Sequence, residues 1–298
     1  MQDINDEKRK RYTRMNQVHS SYHDCVCYLA VENETGLQVF WYEFINDIMT
    51  ESDIEKGFKQ LQKSIQVTSP HLMNILNVWK TSVPSRFYVI TEATQAPSLF
   101  DYLHSIESPP PTRTLIKWFK KLTLAVQALH HAQIIHGSIS LQNALIKPAT
   151  GTLKLRFPLT NLSCRLISSV SLDINQYTSP EHLSGSPSML SDVWSLGIAF
   201  LELLTQKSAY EEFQTPQELI TAINSMKLPQ SLNLVKDQAA ASLIQKCLSS
   251  ELMRPTVDEI LKDTVFNLKN EKRATQSPEN LSGSIQIIVQ NDKEESAS

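Results

Sequence analysis

The stretch Ile134-Ile135-His136-Gly137-Ser138-Ile139-Ser140-Leu141-Gln142-Asn143 decides how the rest of the chain is read. It follows a helical pattern: Leu115, Phe119, Leu122, Val126 and Leu129 form one apolar stripe, predicting a helix from about Thr112 to His131. The run Pro109-Pro110-Pro111 marks the approach to that helix. Downstream, Val193 to Leu204 is apolar almost all round, as a helix buried inside a helical domain would be. Further helical stretches follow at 216–226, 236–248 and 256–263. Upstream the pattern is different. Cys25 to Phe44 reads as two strands around the turn Asn33-Glu34-Thr35-Gly36, and Gln38 to Phe44 is rich in aromatic and β-branched residues. Asp53 to Val67 reads as a helix through Ile54, Phe58, Leu61 and Ile65, and Leu76 to Trp79 and Phe87 to Thr91 as two more short strands.

The expected class is α+β: a small β-rich N-lobe with one helix, then a larger helical C-lobe. The boundaries read as a polar, basic leader over 1–20, a domain over 21–266 and a polar tail over 267–298 that is expected to be disordered. Within the domain the N-lobe covers 21–91, the hinge 92–97 and the C-lobe 98–266. Ile285 to Val289 is a short apolar patch in the tail.

Composition excludes several functions. The chain has 298 residues, 41% of them hydrophobic, and a formal charge of -3. Four cysteines are too few for a disulfide framework. No apolar run reaches the ~18 residues of a membrane span, and Met1 to Arg14 is charged with no apolar signal region behind it. A cytoplasmic protein is expected, the nucleus being the alternative because of the cluster Lys8, Arg9, Lys10, Arg11 and Arg14. The net charge argues against nucleic acid as a partner. Of the seven glycines (36, 57, 137, 151, 185, 197 and 283) no two are separated by a single residue. The G-x-G-x-x-G fingerprint and the Walker-type phosphate loop are therefore both absent, and a nucleotide would have to be held some other way.

The opening stretch resembles the protein-kinase catalytic loop, I-I-H-R-D-L-K-x-x-N, with several members replaced. Three further segments follow in the family's order: Ser179-Pro180-Glu181 resembles A-P-E, Ser191-Asp192-Val193-Trp194-Ser195-Leu196-Gly197 the S-D-V-W-S-x-G helix start, and Met253-Arg254-Pro255-Thr256 the R-P-T segment. Val39-Phe40-Trp41-Tyr42-Glu43 is similar to V-A-W-C-E of the with-no-lysine kinases and V-V-W-N-E of the nuclear receptor-binding-protein pseudokinases. His136-Gly137 is similar to the second group, and Ile244-Gln245-Lys246-Cys247-Leu248 fits a helix both share. The resemblance covers roughly residues 20–266 and implies a bilobal protein-kinase-like fold.

It also implies positions for the chemistry. The strand lysine that holds the phosphates falls on Tyr42, the substitute lysine of the with-no-lysine kinases on Cys25, and the helix glutamate on Gln60. The catalytic-loop aspartate falls on Ser138, while Asn143 is retained. The metal-binding aspartate falls on Phe157, or on Arg156 if the register slips by one. Independently of register, Ser108 through Leu172 is 65 residues without one Asp or Glu, yet it holds eight Lys or Arg. A hard cation such as Mg²⁺ wants carboxylate oxygens. The expectation is therefore a pseudokinase, not an enzyme, without cofactor or metal, acting as a scaffold or allosteric partner in signalling. Two alternatives stand beside it. One is a weakly active, unconventional Ser/Thr kinase that borrows a carboxylate from Asp173 or Glu32. The other is a sensor that binds ATP without Mg²⁺ in a residual cleft at Thr91, Glu92 and Ala93, where the resemblance puts gatekeeper and hinge.

The resemblance implies protein partners such as active kinases or ubiquitin-ligase components. It also implies a structural set: a buried His136, an ion pair of Glu181 with Arg254, Trp194 on the buried helix, and Asp192 capping that helix and anchoring the catalytic loop.

Overall fold

The computed structural model describes residues 9–18, 25–45, 51–82, 85–157 and 174–267. Period-two alternation organises the first lobe. Five antiparallel strands, β1 (Tyr12–Val18), β2 (Cys25–Glu32), β3 (Gln38–Ile45), β4 (Ile75–Ser82) and β5 (Ser85–Glu92), form one sheet in the order β1-β2-β3-β5-β4. On one face Tyr12, Ala30, Val39, Trp41, Trp79, Tyr88 and Ile90 pack as an apolar cluster. Trp79 stacks on Tyr88 at 5.2 Å and meets Trp41 edge-on at 5.1 Å between centroids. Glu43 is buried beside them, accepting a hydrogen bond from Trp41 Nε1 at 3.1 Å and pairing with Arg14. Phe40 and Tyr42, one residue out of phase, are left on the other face, towards the second lobe.

β1 corrects the leader expected over residues 1–20. Only Tyr12 of this strand is buried, so its sequence reads as polar, but it is an edge strand paired with β2 from Tyr12↔Glu32 to Val18↔Cys27. Arg11 and Arg14 of the basic cluster engage Glu32 and Glu43 across the sheet. Lys8 and the tail from 268 lie outside the described residues.

The helix α1 (Glu51–Ser64) covers the sheet through Leu61 and through Phe58, which stacks on Phe87 at 6.1 Å. After the hinge comes α2 (Leu99–Ser105), capped by Ser98, whose hydroxyl accepts the Asp101 amide at 3.0 Å. Next are α3 (Thr112–His131) and a hairpin of β6 (Ala144–Lys147) with β7 (Thr152–Leu155). The second lobe is completed by α4 (Pro180–Leu183), α5 (Met189–Thr205), α6 (Pro216–Asn224), α7 (Gln238–Cys247) and α8 (Val257–Ile260). Nearly every side chain of α5 from Ser191 to Leu203 is buried, and Phe200 stacks on Phe119 of α3 at 3.9 Å. The helix expected over 256–263 is a single turn, because the Asp263 carboxylate caps a new 3₁₀ turn by accepting the Val265 amide at 3.0 Å.

Leu155 joins the lobes: its carbonyl accepts the Met73 amide and its amide donates to the His71 carbonyl, each at 2.8 Å. Among the described residues no helix is long and apolar enough to cross a membrane.

Candidate active site

A cavity of about 380 Å³ lies under the sheet, where β2, β3 and the hinge face the β6–β7 hairpin. Cys27, Leu29, Phe40 and Tyr42 roof it; Ala93, Thr94 and Gln95 wall it on the hinge side; Leu145 and Arg156 form its floor. Tyr42 therefore does occupy the strand position facing the cleft. Its partner on β2 is Cys27, whereas Cys25 pairs with Phe44, so of these two cysteines it is Cys27 that lines the cavity. Burial pushes the Cys27 thiol up to about 12, so it is neutral at physiological pH. Of the gatekeeper Thr91 and the hinge residues Glu92 and Ala93 expected at the cleft, only Ala93 lines it. Thr91 is buried in the sheet, and the Glu92 carboxylate turns away to hold Lys154 Nζ at 2.6 and 2.7 Å and the Asn74 amide at 2.8 Å.

The catalytic-loop stretch is built around one buried carboxylate. Asp192 is fully buried in the first turn of α5; it accepts the His136 amide on Oδ2 and the Gly137 amide on Oδ1, each at 2.7 Å. His130 Nε2 lies 2.8 Å from the same carboxylate. Asp192 thus anchors the loop, but it does not cap the helix as expected: Ser188 is the cap, in a reciprocal box with Ser191. The His136 ring accepts the Ser138 amide on Nδ1 at 3.2 Å, which leaves Nε2 to donate to the Arg156 carbonyl at 2.8 Å. Burial lowers the pKa of His136, in keeping with that neutral tautomer. From the other side the buried Tyr177 hydroxyl accepts the Leu141 amide at 3.3 Å and donates to Glu202. Sequence patterns give no sign of His130, Tyr177 or Glu202; each acts through a contact to a partner 25 or more residues away, with no local pattern to betray it.

At the expected metal position the two candidate residues are placed differently. Phe157 is buried and does not line the cavity; Arg156 does. Two hydrogen bonds fix the Arg156 backbone, its amide donating to the Asn143 carbonyl at 2.8 Å and its carbonyl accepting from His136. Of the two registers expected, Arg156 is the residue that faces the cleft, because β7 ends at Leu155 and the next residue turns towards the cavity. Ser138 and Asn143 share the loop, the Asn143 amide donating to the Ser138 carbonyl at 2.7 Å. Gln60 lies in α1, but its side chain is outside the described residues, as is the segment 158–173. Glu32 is removed from the borrowed carboxylates: it sits at the far end of β2, bound by Arg11 Nε at 2.7 Å and Thr35 Oγ1 at 2.5 Å.

Mg²⁺ does not fit the described part of the site. Its oxygen donors are a serine hydroxyl and Asn143 Oδ1, the Asn143 side-chain nitrogen being the atom that bonds the loop, beside a guanidinium and with no carboxylate among the described residues of the cavity wall. Among the described residues no three His, Cys, Asp or Glu side chains gather as a metal group.

Below the site, Glu181 and Arg254 meet in a bidentate pair, Nη1–Oε1 2.5 Å and Nη2–Oε2 3.1 Å. The guanidinium also lies over the Trp194 ring, 5.1 Å from its centroid. Burial alone would raise the Glu181 pKa, but hydrogen bonds from Arg254 and Ser191 outweigh it and hold the carboxyl down to about 2.

A five-stranded antiparallel sheet with one helix, a hinge, a helical lobe, and a loop tied to a buried aspartate define the class. The protein kinase domain model matches residues 24–266, and the chain belongs to that family. Within it the chain is similar to with-no-lysine kinases. It is 23% identical over 270 residues to the probable serine/threonine-protein kinase WNK10 of Arabidopsis thaliana, covering 89% of this chain and 51% of that protein. It is 25% identical over 262 residues to the probable serine/threonine-protein kinase WNK9 of Oryza sativa subsp. japonica, covering 85% and 62%. To the serine/threonine-protein kinase WNK3 of Mus musculus it is 21% identical over 245 residues, 80% of this chain but 14% of that protein. The chain thus spans only part of the length of these curated relatives, from 14% to 62%. The expectation that it is not an enzyme is corrected by this comparison: these relatives are named as serine/threonine-protein kinases. Replaced residues at the family's positions do not demonstrate inactivity.

Proposed function

We propose that this domain is a serine/threonine-type protein kinase with an unconventional residue set, taking ATP in the cleft beneath the sheet. The observation that carries the reading is the cleft itself, which stays open at about 380 Å³ despite Tyr42, within the ~300–1,000 Å³ of ordinary ligand pockets. Apolar Val18, Leu29, Met73 and Leu145 suit the two faces of a flat base, and the hinge backbone at Ala93 to Gln95 runs along its edge. Phosphoryl transfer is mostly positioning and charge stabilisation, so a loop held as firmly as residues 136–143 supplies much of what it needs. In the reaction the terminal phosphorus leaves its bridging oxygen, ADP departs, and the phosphorus bonds to a protein hydroxyl whose proton goes to a base. Asp173, the first carboxylate after the 65-residue gap, is the base proposed here. Protein partners presenting that hydroxyl, and a cytoplasmic setting in keeping with the buried thiols of Cys25, Cys27 and Cys247, belong to the same proposal.

The test is transfer of labelled terminal phosphate from ATP to the chain itself and to a mixed protein substrate. The full chain should transfer slowly but measurably, and Ala93→Phe, which fills the cleft, and Asp173→Asn should each abolish transfer. Transfer undiminished in Ala93→Phe would place the activity elsewhere, and none from the unmodified chain would refute the reading.

A further inference from the structure

A second cavity, of about 570 Å³, opens between the segment that joins α1 to β4 and the last two turns of α3. It shares no lining residue with the cleft. We infer that it docks an acidic segment of a partner protein, which inserts an aliphatic side chain and sets its carboxylates against basic walls. Part of the lining is apolar: Val67 is buried, and Leu124 and Ala128 of α3 are half-buried. Lys63, exposed in the last turn of α1, and the Thr68 and Ser69 hydroxyls face them from the other wall.

The α3 wall continues beyond the cavity as a basic stripe. Arg113, Lys117, Lys120, Leu124, Ala128 and His131 recur at three- and four-residue spacing, so they share the face of α3 turned away from its buried side. Lys117 is exposed, Lys120 lies over the Phe266 ring at 5.5 Å, and Lys121 donates to the Gly151 carbonyl at 2.6 Å. Both walls come from stretches without an Asp or Glu, residues 56–91 and 108–172. A carboxylate does stand beside the cavity, that of Asp258 in α8. It is engaged by Gln127 Nε2 at 2.5 Å and His131 Nε2 at 3.3 Å, and Lys262 lies close enough to act on it. His71 adds no charge, because burial lowers its pKa. The field over the cavity is therefore positive, and charge complementarity selects an anionic occupant. A free phosphate would leave the apolar lining uncovered, and a concave site with cations on two walls does not match a flat sheet of lipid headgroups. A peptide meets both demands, its aliphatic side chain on Leu124, Ala128 and Val67 and its carboxylates towards Lys63 and Lys117.

Selection of a displayed library of random peptides on the immobilised full chain tests this, the enriched peptides then being titrated by fluorescence anisotropy. They should share an aliphatic residue flanked by Asp or Glu, and should bind more weakly as salt is raised. Lys63→Glu should weaken them by about tenfold or more, since it sets like charges against each other. Because Lys63 is exposed, that variant should melt within roughly two degrees of the unmodified chain. Exchanging the acidic residues of the peptides for Lys should restore binding to Lys63→Glu, and Ala128→Trp, which fills the cavity, should abolish binding of the original peptides. A library that enriches nothing, or only peptides without acidic residues, would overturn the inference. So would binding undiminished in Lys63→Glu, or peptides that ATP displaces, since these would sit in the cleft. No transfer activity is needed for any of these outcomes, so failure of the kinase reading would leave this site standing.

Discussion

The Arg254 side chain has 0% of its surface exposed, yet it carries a full charge. It is tolerated because Glu181 takes two of its donors while the Ser249 and Leu190 carbonyls, each at 2.9 Å, take others. Removing one partner of such a pair costs about 3–5 kcal/mol, so Arg254→Ala should lower the melting temperature of this domain by roughly 10 °C. An unchanged melting curve would contradict the assignment. The pH dependence has a definite sign. The Glu181 pKa is about 2 when folded against an ordinary 4.5, so its contribution is full above about 4.5 and is lost as pH falls towards 2. Acid titration of stability should show that loss in the unmodified protein and not in Arg254→Ala. This pair is legible in the sequence because both residues stand in short motifs in a fixed order. The His130–Asp192 contact is not, since the His130-His131 pair at the end of an amphipathic helix gives no sign that the first ring points at a buried carboxylate 62 residues on.

Elements show why short or edge structure escapes a sequence reading. α3 is found by its apolar periodicity and α5 by its long, nearly unbroken apolar run. β6 and β7, at four residues each, are too short to show a period. β1 buries one side chain in seven, so Tyr12-Thr13-Arg14-Met15-Asn16-Gln17-Val18 reads as polar leader. If β1 is structural, Tyr12→Ala should cost about 3 kcal/mol, because the ring packs on Trp79 at 6.4 Å and against Trp41 at 6.5 Å. Denaturant unfolding measures it, and a leader would show no change. At the contact of α5 with α7, a Cβ on Gly197 would lie 2.6 Å from the Cys247 Cβ, closer than any real pair. Gly197→Ala should therefore destabilise by about 1–3 kcal/mol even though alanine is the better helix former, and the urea midpoint should fall at constant slope. A midpoint that rises would mean the helices do not approach so closely.

At the scale of the whole molecule, the two lobes and the hinge follow from a switch of pattern, strands with one helix before residue 92 and mainly helices after it. The cleft between them is legible only in outline. Which side chain of two neighbours enters it depends on where a strand ends, and β7 ends one residue before Arg156 rather than before Phe157. Whether space survives beside Tyr42 depends on packing that no sequence pattern encodes. The space that survives is the basis of the functional account, so nucleotide occupancy tests it most directly. ATP at about a hundred times its Kd adds ~2.7 kcal/mol to a protein that binds it, and at ~2–4 °C per kcal/mol the full chain should melt about 5–10 °C higher. Ala93→Phe should show no rise. A melting temperature that ATP leaves unmoved in the unmodified chain, or raises equally in Ala93→Phe, would contradict the account.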